Sequence, residues 1–589
     1  MTDEELRAEI KKIEDTASDF RFDLQISDAF RDLFQRTEKD LTEEQKKRFE
    51  WEFNLFRLAT KNSFNNEGMK TDRFHPMAHF QDGRIFPDPD GFPKEAIDYF
   101  ESRAKDSTNP ILRSRYLDFL WEKSNLPNKH VIAQEAIKAY LDASETYKAE
   151  ESAFERTDCL QRAAGLATIL ESKVESKPIS EAVSKKILER VETYAKAGDY
   201  RWTLELIEIS AYRPKLFGEE NLKRFIEIID EAIKSYQDQG NQHLQRSFIE
   251  LKKHLLEVLK ASPEEIKATD ESIAESYVAE AEAKSGSPLV KGHFLHEAVK
   301  AYSKIGNKEK TNQLIEEMKK AGKEAIDTHE FVEIKSTVKI PKEDIEKLKK
   351  SLGEHQDVPQ QLGINSNFLP DWERAKVFSK EMAEKYPLSH IFGKTHFRGK
   401  PYPVRRSDSK EDIDEDNVME QFDLDNKLKL NFLTGFLLQL KDEGKVTYRD
   451  FEQYFRKAEF IEPETLETIL EGLKRFFEGD YLHSLETLTL QLEDVLRVLL
   501  ANLGAQTTKQ NTSGFEEITL SPILKQIRPD IPETLYRYLC WMLDDFRGPN
   551  LRHEVAHGFI KKSRVDARQV VGIIHVFCIL IANTKKVYR

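Results

Sequence analysis

The sequence predicts an all-α protein: an N-terminal array of helical hairpins, loosely tetratricopeptide-like, followed by a C-terminal helical bundle. Three observations carry that expectation. Charged residues make up 33% of 589 positions, while only 24 are Gly and 21 are Pro, the composition of long helices coated with charge. Apolar residues recur at intervals of three and four over most of the chain. The breaks between these stretches are short and marked by Gly or Pro.

The elements follow in order. Residues 1–90 form an N-terminal helical region, with helical periodicity in "TEEQKKRFEWEFNLFRLATK" that breaks into the loop "GRIFPDPDGFPKE". Residues 91–330 read as a helical-repeat array. Within it "EAIKAY" (135–140) recurs as "EAVKAY" (297–302), and "TYAKAGDY" (193–200) resembles "AYSKIGNK" (301–308), each helix ending at Gly198 or Gly306. Such an array commonly offers a surface to a protein or nucleic-acid trigger. Helices packed for their own sake fit the pattern equally well.

Residues 331–405 are a junction of weak periodicity. Its "GKT" invites a phosphate-loop reading, but Leu388 stands where the leading Gly should be and "HFRGKPYP" cannot be the required helix. Residues 406–589 form the last unit. It opens on the acidic stretch "DSKEDIDEDNVMEQFDLD", read as a solvated helix start. Its long apolar helices around 481–503 and 532–546, together with the stretch 551–560 and the closing helix, can make a four-helix bundle. A polar Gln-Thr-Asn-Ser-Gly stretch between them reads as a loop.

Composition also narrows function. The start, "MTDEELRAEI", is acidic and holds no apolar run of signal-peptide length, so a cytoplasmic protein is expected. The longest apolar run, "VVGIIHVFCILIA" (570–582), is shorter than the roughly 20 residues that span a bilayer and reads as a core helix; no membrane contact is expected. Cys159, Cys540 and Cys578 are far apart on apolar stretches and read as core residues. A net charge of −14 argues against a surface that coats nucleic acid throughout. The end of the chain differs: between Phe546 and Arg589 nine basic residues, Lys585, Lys586 and Arg589 among them, stand against Glu554 and Asp566. A local phosphate-binding patch and a solvated cationic face both fit that balance.

Within this tail, "LRHEVAHGFI" (551–560) can be parsed in two ways. His553-Glu554-x-x-His557 is the zinc-peptidase pattern, with the two imidazoles about 40° apart on a helix and Glu554 as base. A catalytic zinc needs a third protein ligand, yet after His557 only Asp566 and His575 follow. The second parsing is Arg552, four residues, His557. Arg followed at such a spacing by His also occurs at Arg73/His79, Arg547/His553 and Arg568/His575, so spacing alone decides nothing. Context favours Arg552 and His557, which lie at an expected helix start in a basic tail, where unpaired N–H groups favour phosphate.

"GPNLRHEVAHG", preceded by "QLEDVLRVLL", resembles the C-terminal domain of a family of uncharacterised proteins marked by Arg-Asn-x-x-x-His-Gly, itself part of the HEPN superfamily of α-helical ribonucleases. "YPLSHIFGKTHFRGKPYPV" resembles the segment ahead of that domain. The likeness covers roughly residues 380–589. The residue after Arg is Asn in that family and His553 here, which alone creates the first His of the zinc pattern.

The resemblance implies metal-independent RNA cleavage, in which the 2'-hydroxyl attacks the adjacent phosphate to leave a 2',3'-cyclic phosphate, with no cofactor and no metal. His557 would move a proton at the 2'-oxygen or the leaving 5'-oxygen, and Arg552 would hold the phosphate. Five positions put these side chains about 140° apart on an ideal helix. The superfamily's pairing of two motifs across a two-fold axis would bring them together in a homodimer. His553 becomes a polar helper, Asn550 a helix cap with a secondary contact, and Glu493 and Arg497 a helix ion pair supporting the motif. By analogy the protein is a bacterial defence or toxin effector. Two other readings stand beside it: a non-catalytic HEPN module that binds nucleotide or RNA or scaffolds proteins, and a zinc metallopeptidase using His553, Glu554 and His557.

Overall fold

A computed structural model describes the chain except residues 21–22, 61–72, 81, 149–151, 171–176, 331–342, 344–356, 398–401, 512–513 and 585–589. Lys585, Lys586, Arg589 and most of the first part of the junction therefore lie outside the described residues. The protein is all-α. It divides into two compact units, Met1–Glu330 and Phe331–Arg589.

The first unit begins with α1 (Asp3–Thr16), α2 (Asp23–Thr37) and α3 (Glu43–Arg57), then two short antiparallel pairs, β1 (Ala59–Thr60) with β2 (Phe74–His75) and β3 (Ala78–His79) with β4 (Ile85–Phe86). Ten helices follow: α4 (Lys94–Asp106), α5 (Pro110–Lys123), α6 (Lys129–Thr146), α7 (Ala153–Leu170), α8 (Lys177–Lys196), α9 (Tyr200–Tyr212), α10 (Pro214–Asp238), α11 (Gln242–Val258), α12 (Pro263–Ala283) and α13 (Pro288–Ile305), with α14 (Lys308–Asp327) closing the unit. Successive helices pack on one another from α4 through α8 and again from α10 through α14. The helical array expected from the sequence is present.

Its internal likeness is a repeated helix ending. Gly198 and Gly306 both take left-handed conformations, φ 72° and 80°. Each closes its helix by the same two bonds: Gly198 and Asp199 donate to Ala195 and Tyr194, Gly306 and Asn307 to Ser303 and Tyr302. This is the Schellman ending, in which a residue without Cβ turns the chain at no steric cost. A third copy, unnoticed in the sequence, lies in "SYQDQGN", where Gly240 and Asn241 donate to Gln237 and Tyr236. Glu52, fully buried, accepts from Tyr99, Tyr116 and Arg103 at 2.9, 2.6 and 2.8 Å, tying α3 to α4 and α5.

The second unit contains α15 (Val358–Ile364), α16 (Trp372–Lys385), a hairpin of β5 (Lys394–His396) and β6 (Arg405–Ser407), and the long α17 (Lys410–Asp442). Then come α18 (Tyr448–Phe455), α19 (Pro463–Glu478), α20 (Tyr481–Asn502), a second hairpin of β7 (Thr508–Asn511) and β8 (Gly514–Glu517), α21 (Leu520–Ile527), α22 (Glu533–Leu543), α23 (Leu551–Ala556) and α24 (Ala567–Asn583). "GKT" runs into β5, and the next described element is the strand β6 instead of the helix a phosphate loop requires. The polar stretch read as a loop carries the β7–β8 hairpin instead, its alternating residues suiting an exposed two-stranded ribbon.

The centre of this unit is α24, buried from Val570 to Leu580 and packed by α15, α17, α20 and α22. Gly363 of α15 lies so close that a Cβ there would meet the Cys578 carbonyl at 2.3 Å. The bundle differs from the expected one: 551–560 contributes only a six-residue helix, and α17 and α19 fill the positions around α20 and α24. No helix among the described residues is long and apolar enough to cross a membrane.

His575, 1% exposed, is bonded through Nδ1 to the Tyr538 hydroxyl at 3.1 Å and lies edge-on to Phe368. Burial pushes its pKa down from 6.5 to about 4, only partly offset by the Leu362 backbone. The folded unit therefore stays neutral here between pH 6.5 and 4, while the unfolded chain takes up a proton. Stability present above pH 6.5 is lost as pH falls through that window, by about 3 kcal/mol at its end. Urea unfolding at pH 7 and 4.5 should show this loss in the wild type and a smaller one in His575→Gln; equal losses would exonerate His575.

Candidate functional site

The loop before the motif is fixed first. Gly548 sits against α22 with room for no side chain, since a Cβ would stand 2.0 Å from the Trp541 carbonyl. Beside it Arg547 is locked: its guanidinium meets Asp416 at 2.8 Å, Asp545 at 2.8 Å and Glu415 at 3.2 Å. Asp416 is 1% exposed and also accepts from Ser407 at 2.5 Å and from His396 at 2.8 Å. The hairpin β5–β6, the start of α17 and the loop before α23 are joined by this one carboxylate. The acidic stretch read as a solvated helix start thus has a buried member. Its sequence signal is register, because Asp416 lies three residues from Ile413 and three from Met419, on the apolar stripe of α17.

Leu551, 2% exposed, anchors α23 in the core, and the following residues are partly or fully exposed. Asn550 corrects the expectation of a capping side chain. It occupies the cap position, but in the left-handed region at φ 50°, ψ 45°, 6% exposed, and its side chain makes no cap bond. A capping oxygen reaches back from an extended residue, which Asn550 is not.

Arg552 stands in the first turn of α23 and donates through Nε to Glu493 on α20 at 2.8 Å. The other oxygen of Glu493 faces Arg497 at 3.3 Å, and Arg497 donates to Glu517 of β8 at 3.0 Å and to the Ile518 carbonyl at 2.8 Å. Glu493 therefore bridges two arginines. Among the described residues Arg552 bonds through Nε alone, which leaves its two terminal nitrogens, the fork that matches two oxygens of a phosphate or carboxylate. The link between Arg552 and Glu493 spans 59 positions and has no local signal in the sequence.

The histidines lie on one face. The rings of His553 and His557 have centroids 4.4 Å apart, and Phe559 stands 5.7 Å from each, nearly parallel to His557. All three are exposed. Phe559, unremarked in the sequence, is brought there by the helix ending: Gly558, φ 66°, donates to Val555 and Phe559 donates to Glu554, another Schellman turn. His557 is thus the capping residue of a short helix, with φ −95°, instead of standing inside a longer one. A helix this short also weakens the expectation of a dipole-based phosphate site at its start.

The remaining Arg–His pairs are otherwise engaged: Arg547 as above, Arg568 with Asp566, and Arg73 with Asp158 at 2.5 Å. Among the described residues no three His, Cys, Asp or Glu side chains are placed to hold a metal ion.

Residues 17–178 match the model of DUF7380, a domain of unknown function. No curated protein matches the chain. Among solved structures, a "Circular tandem repeat protein with novel repeat topology and enhanced subunit contact surfaces" aligns at 12% identity over 79% of this chain and 88% of its own, with a TM-score of 0.14. So low a score says nothing of shared fold or function.

Proposed function

We propose that the C-terminal unit is a metal-independent endoribonuclease of HEPN type. The observation that supports this reading best is the placement of Arg552: held through Nε by Glu493, it has no other bond among the described residues and shares a short helix with the exposed His553–His557 pair. Arg552 binds the scissile phosphate and offsets the charge that builds on its non-bridging oxygens. His557 accepts the proton of the 2'-hydroxyl as that oxygen bonds to phosphorus. The P–O5' bond breaks, and the 5'-oxygen takes a proton from a protonated imidazole, either His553 or the same histidine of a second copy. The products are a 2',3'-cyclic phosphate and a 5'-hydroxyl. No redox change and no metal-bound water is required.

A homodimer through this unit completes the proposal. Leu388, Ile391 and Phe392, each more than 60% exposed, offer apolar surface that a second copy would cover. In its biology the protein acts as a defence or toxin effector, silent until the helical array meets a protein or nucleic-acid trigger.

The test is cleavage of RNA by purified full-length protein in excess EDTA, followed by analysis of the ends. Cleavage that persists and leaves cyclic phosphate supports the reading. Stoichiometric zinc in the purified protein that is lost in His553→Ala, or binding of RNA with no cleavage, would replace it with the peptidase or the non-catalytic reading respectively.

A further inference from the structure

Beyond the helix ending of α23, the consecutive residues Lys561, Lys562, Ser563 and Arg564 are all exposed. They are held out from the unit by anchors on both sides. Before them, Ile560 packs against the core and its N–H donates to the Glu554 carbonyl at 3.3 Å. After them, Val565 packs against the same core, and the Gln569 side chain donates to the Arg564 carbonyl at 3.1 Å. Between the anchors the chain makes one tight turn, closed by the Arg564 N–H on the Lys561 carbonyl at 2.8 Å. Such a turn keeps its first and last Cα atoms within about 7 Å, comparable to the spacing of neighbouring phosphates along an RNA strand. The cations are displayed on a fixed loop, not on a free tail.

Their charge is unmatched. Elsewhere in the unit, exposed cations commonly carry a carboxylate: Lys376 has Glu373, Arg405 has Asp412, Lys509 has Glu516 and Arg528 has Glu533, at 2.7 to 2.9 Å. Among the described residues no carboxylate pairs with Lys561, Lys562 or Arg564. The acid nearest in sequence, Asp566, is taken by the cap of α24 and by Arg568 at 2.9 Å. Three like charges in four residues repel one another, a repulsion that a bound polyanion relieves. The place of the loop says which polyanion. His557 precedes Lys561 by four residues, which span at most about 14 Å, a reach of one or two nucleotides. Between them Phe559 is 40% exposed, its ring 5.7 Å from that of His557, so an unstacked base beside the reacting phosphate meets an aromatic surface.

We propose that Lys561, Lys562 and Arg564 grip the phosphates of single-stranded RNA next to the one that is cleaved, with an adjoining base laid on Phe559. A duplex keeps its bases stacked on one another and away from Phe559, so the tract favours unpaired RNA. The proposal rests on the ribonuclease reading for the identity of the reacting phosphate, while the grip itself needs no cleavage and is measured without it.

The test is binding of a labelled single-stranded RNA of about 12 nucleotides to the full-length His557→Ala protein, over a series of salt concentrations. Replacing Lys561, Lys562 and Arg564 together by Gln should weaken binding about tenfold or more at low salt and reduce the slope of log affinity against log salt by about 2, the share of three phosphate contacts on a single strand. Lys561→Arg with Lys562→Arg and Arg564→Lys keeps the charges and should keep most of the affinity. Phe559→Ala should weaken the single strand more than a duplex of the same sequence. With His557 intact, the Gln variant should raise KM by a similar factor and leave kcat within about threefold. The melting temperature should not move, since all three side chains are exposed. No binding at about 1 mM RNA, a slope indifferent to the Gln variant, or a duplex bound as tightly as the single strand overturns the proposal. Failure of the ribonuclease reading looks different: RNA gripped through the tract by the protein with and without His557, and cut by neither.

Discussion

If the C-terminal unit is the proposed ribonuclease, His557→Ala should lower the rate of RNA cleavage by about 10²- to 10⁴-fold, the range expected when a positioned acid–base group is removed. The effect should fall on the chemical step. Arg552 and its Glu493 tether are untouched, so the phosphate is still held and KM should move by far less than kcat. The fold should tolerate the change, because His557 is exposed and its structural part is played by its backbone N–H, which donates to His553 at 3.1 Å. Single-turnover cleavage in EDTA, with the melting temperature measured alongside, separates the two roles. A loss below about tenfold at unchanged stability, or a loss that follows unfolding, would remove His557 from the chemistry. Arg552→Lys provides the companion reading, since a lysine keeps the charge but not the fork.

Arg547→Met destabilises the C-terminal unit by about 3–5 kcal/mol, the usual cost of leaving one member of a buried ion pair alone. Arg547 is 10% exposed and Asp416 1%. Burial would raise the Asp416 carboxyl, but hydrogen bonds from Ser407, His396 and Arg547 outweigh it and hold the group below the usual carboxylate range. Methionine fills much of the volume and supplies none of the charge. Urea unfolding should show the full loss in Arg547→Met and a smaller one in Arg547→Met with Asp416→Leu, since the double variant no longer leaves the Asp416 charge buried without its arginine. A double variant worse than the sum of the singles would mean that the pair is not coupled in this way.

The elements whose signal is periodic were legible in the sequence. The apolar run at 570–582 is the core helix α24, His575 is packed within it, and the glycines after "TYAKA" and "AYSKI" end helices. What was not legible depends on distant partners or on single backbone angles. Nothing local marks Glu493 as the partner of Arg552, or Arg547 as the partner of Asp416. The acidity of 408–425 masked the one carboxylate whose register places it inside. Asn550 has the right residue type for a cap and the wrong conformation, and type is all that a sequence displays. Phe559 joined the histidines only through the turn at Gly558.

That turn changes what the interval between Arg552 and His557 measures. On a continuous helix, distance along the chain is an angle, and one inserted residue swings everything beyond it by about 100°. Here the helix is stopped at its far end by Gly558 and pinned at its near end by buried Leu551. The interval is a span between two fixed posts, and a fifth residue inserted between Arg552 and His557 has to be absorbed between them. It must either bulge outward between the posts, leaving both side chains near where they were, or pull one post free. Tolerance of length between an arginine and a histidine is then a property of their anchors, and the count of residues between them is the least informative part of the pattern.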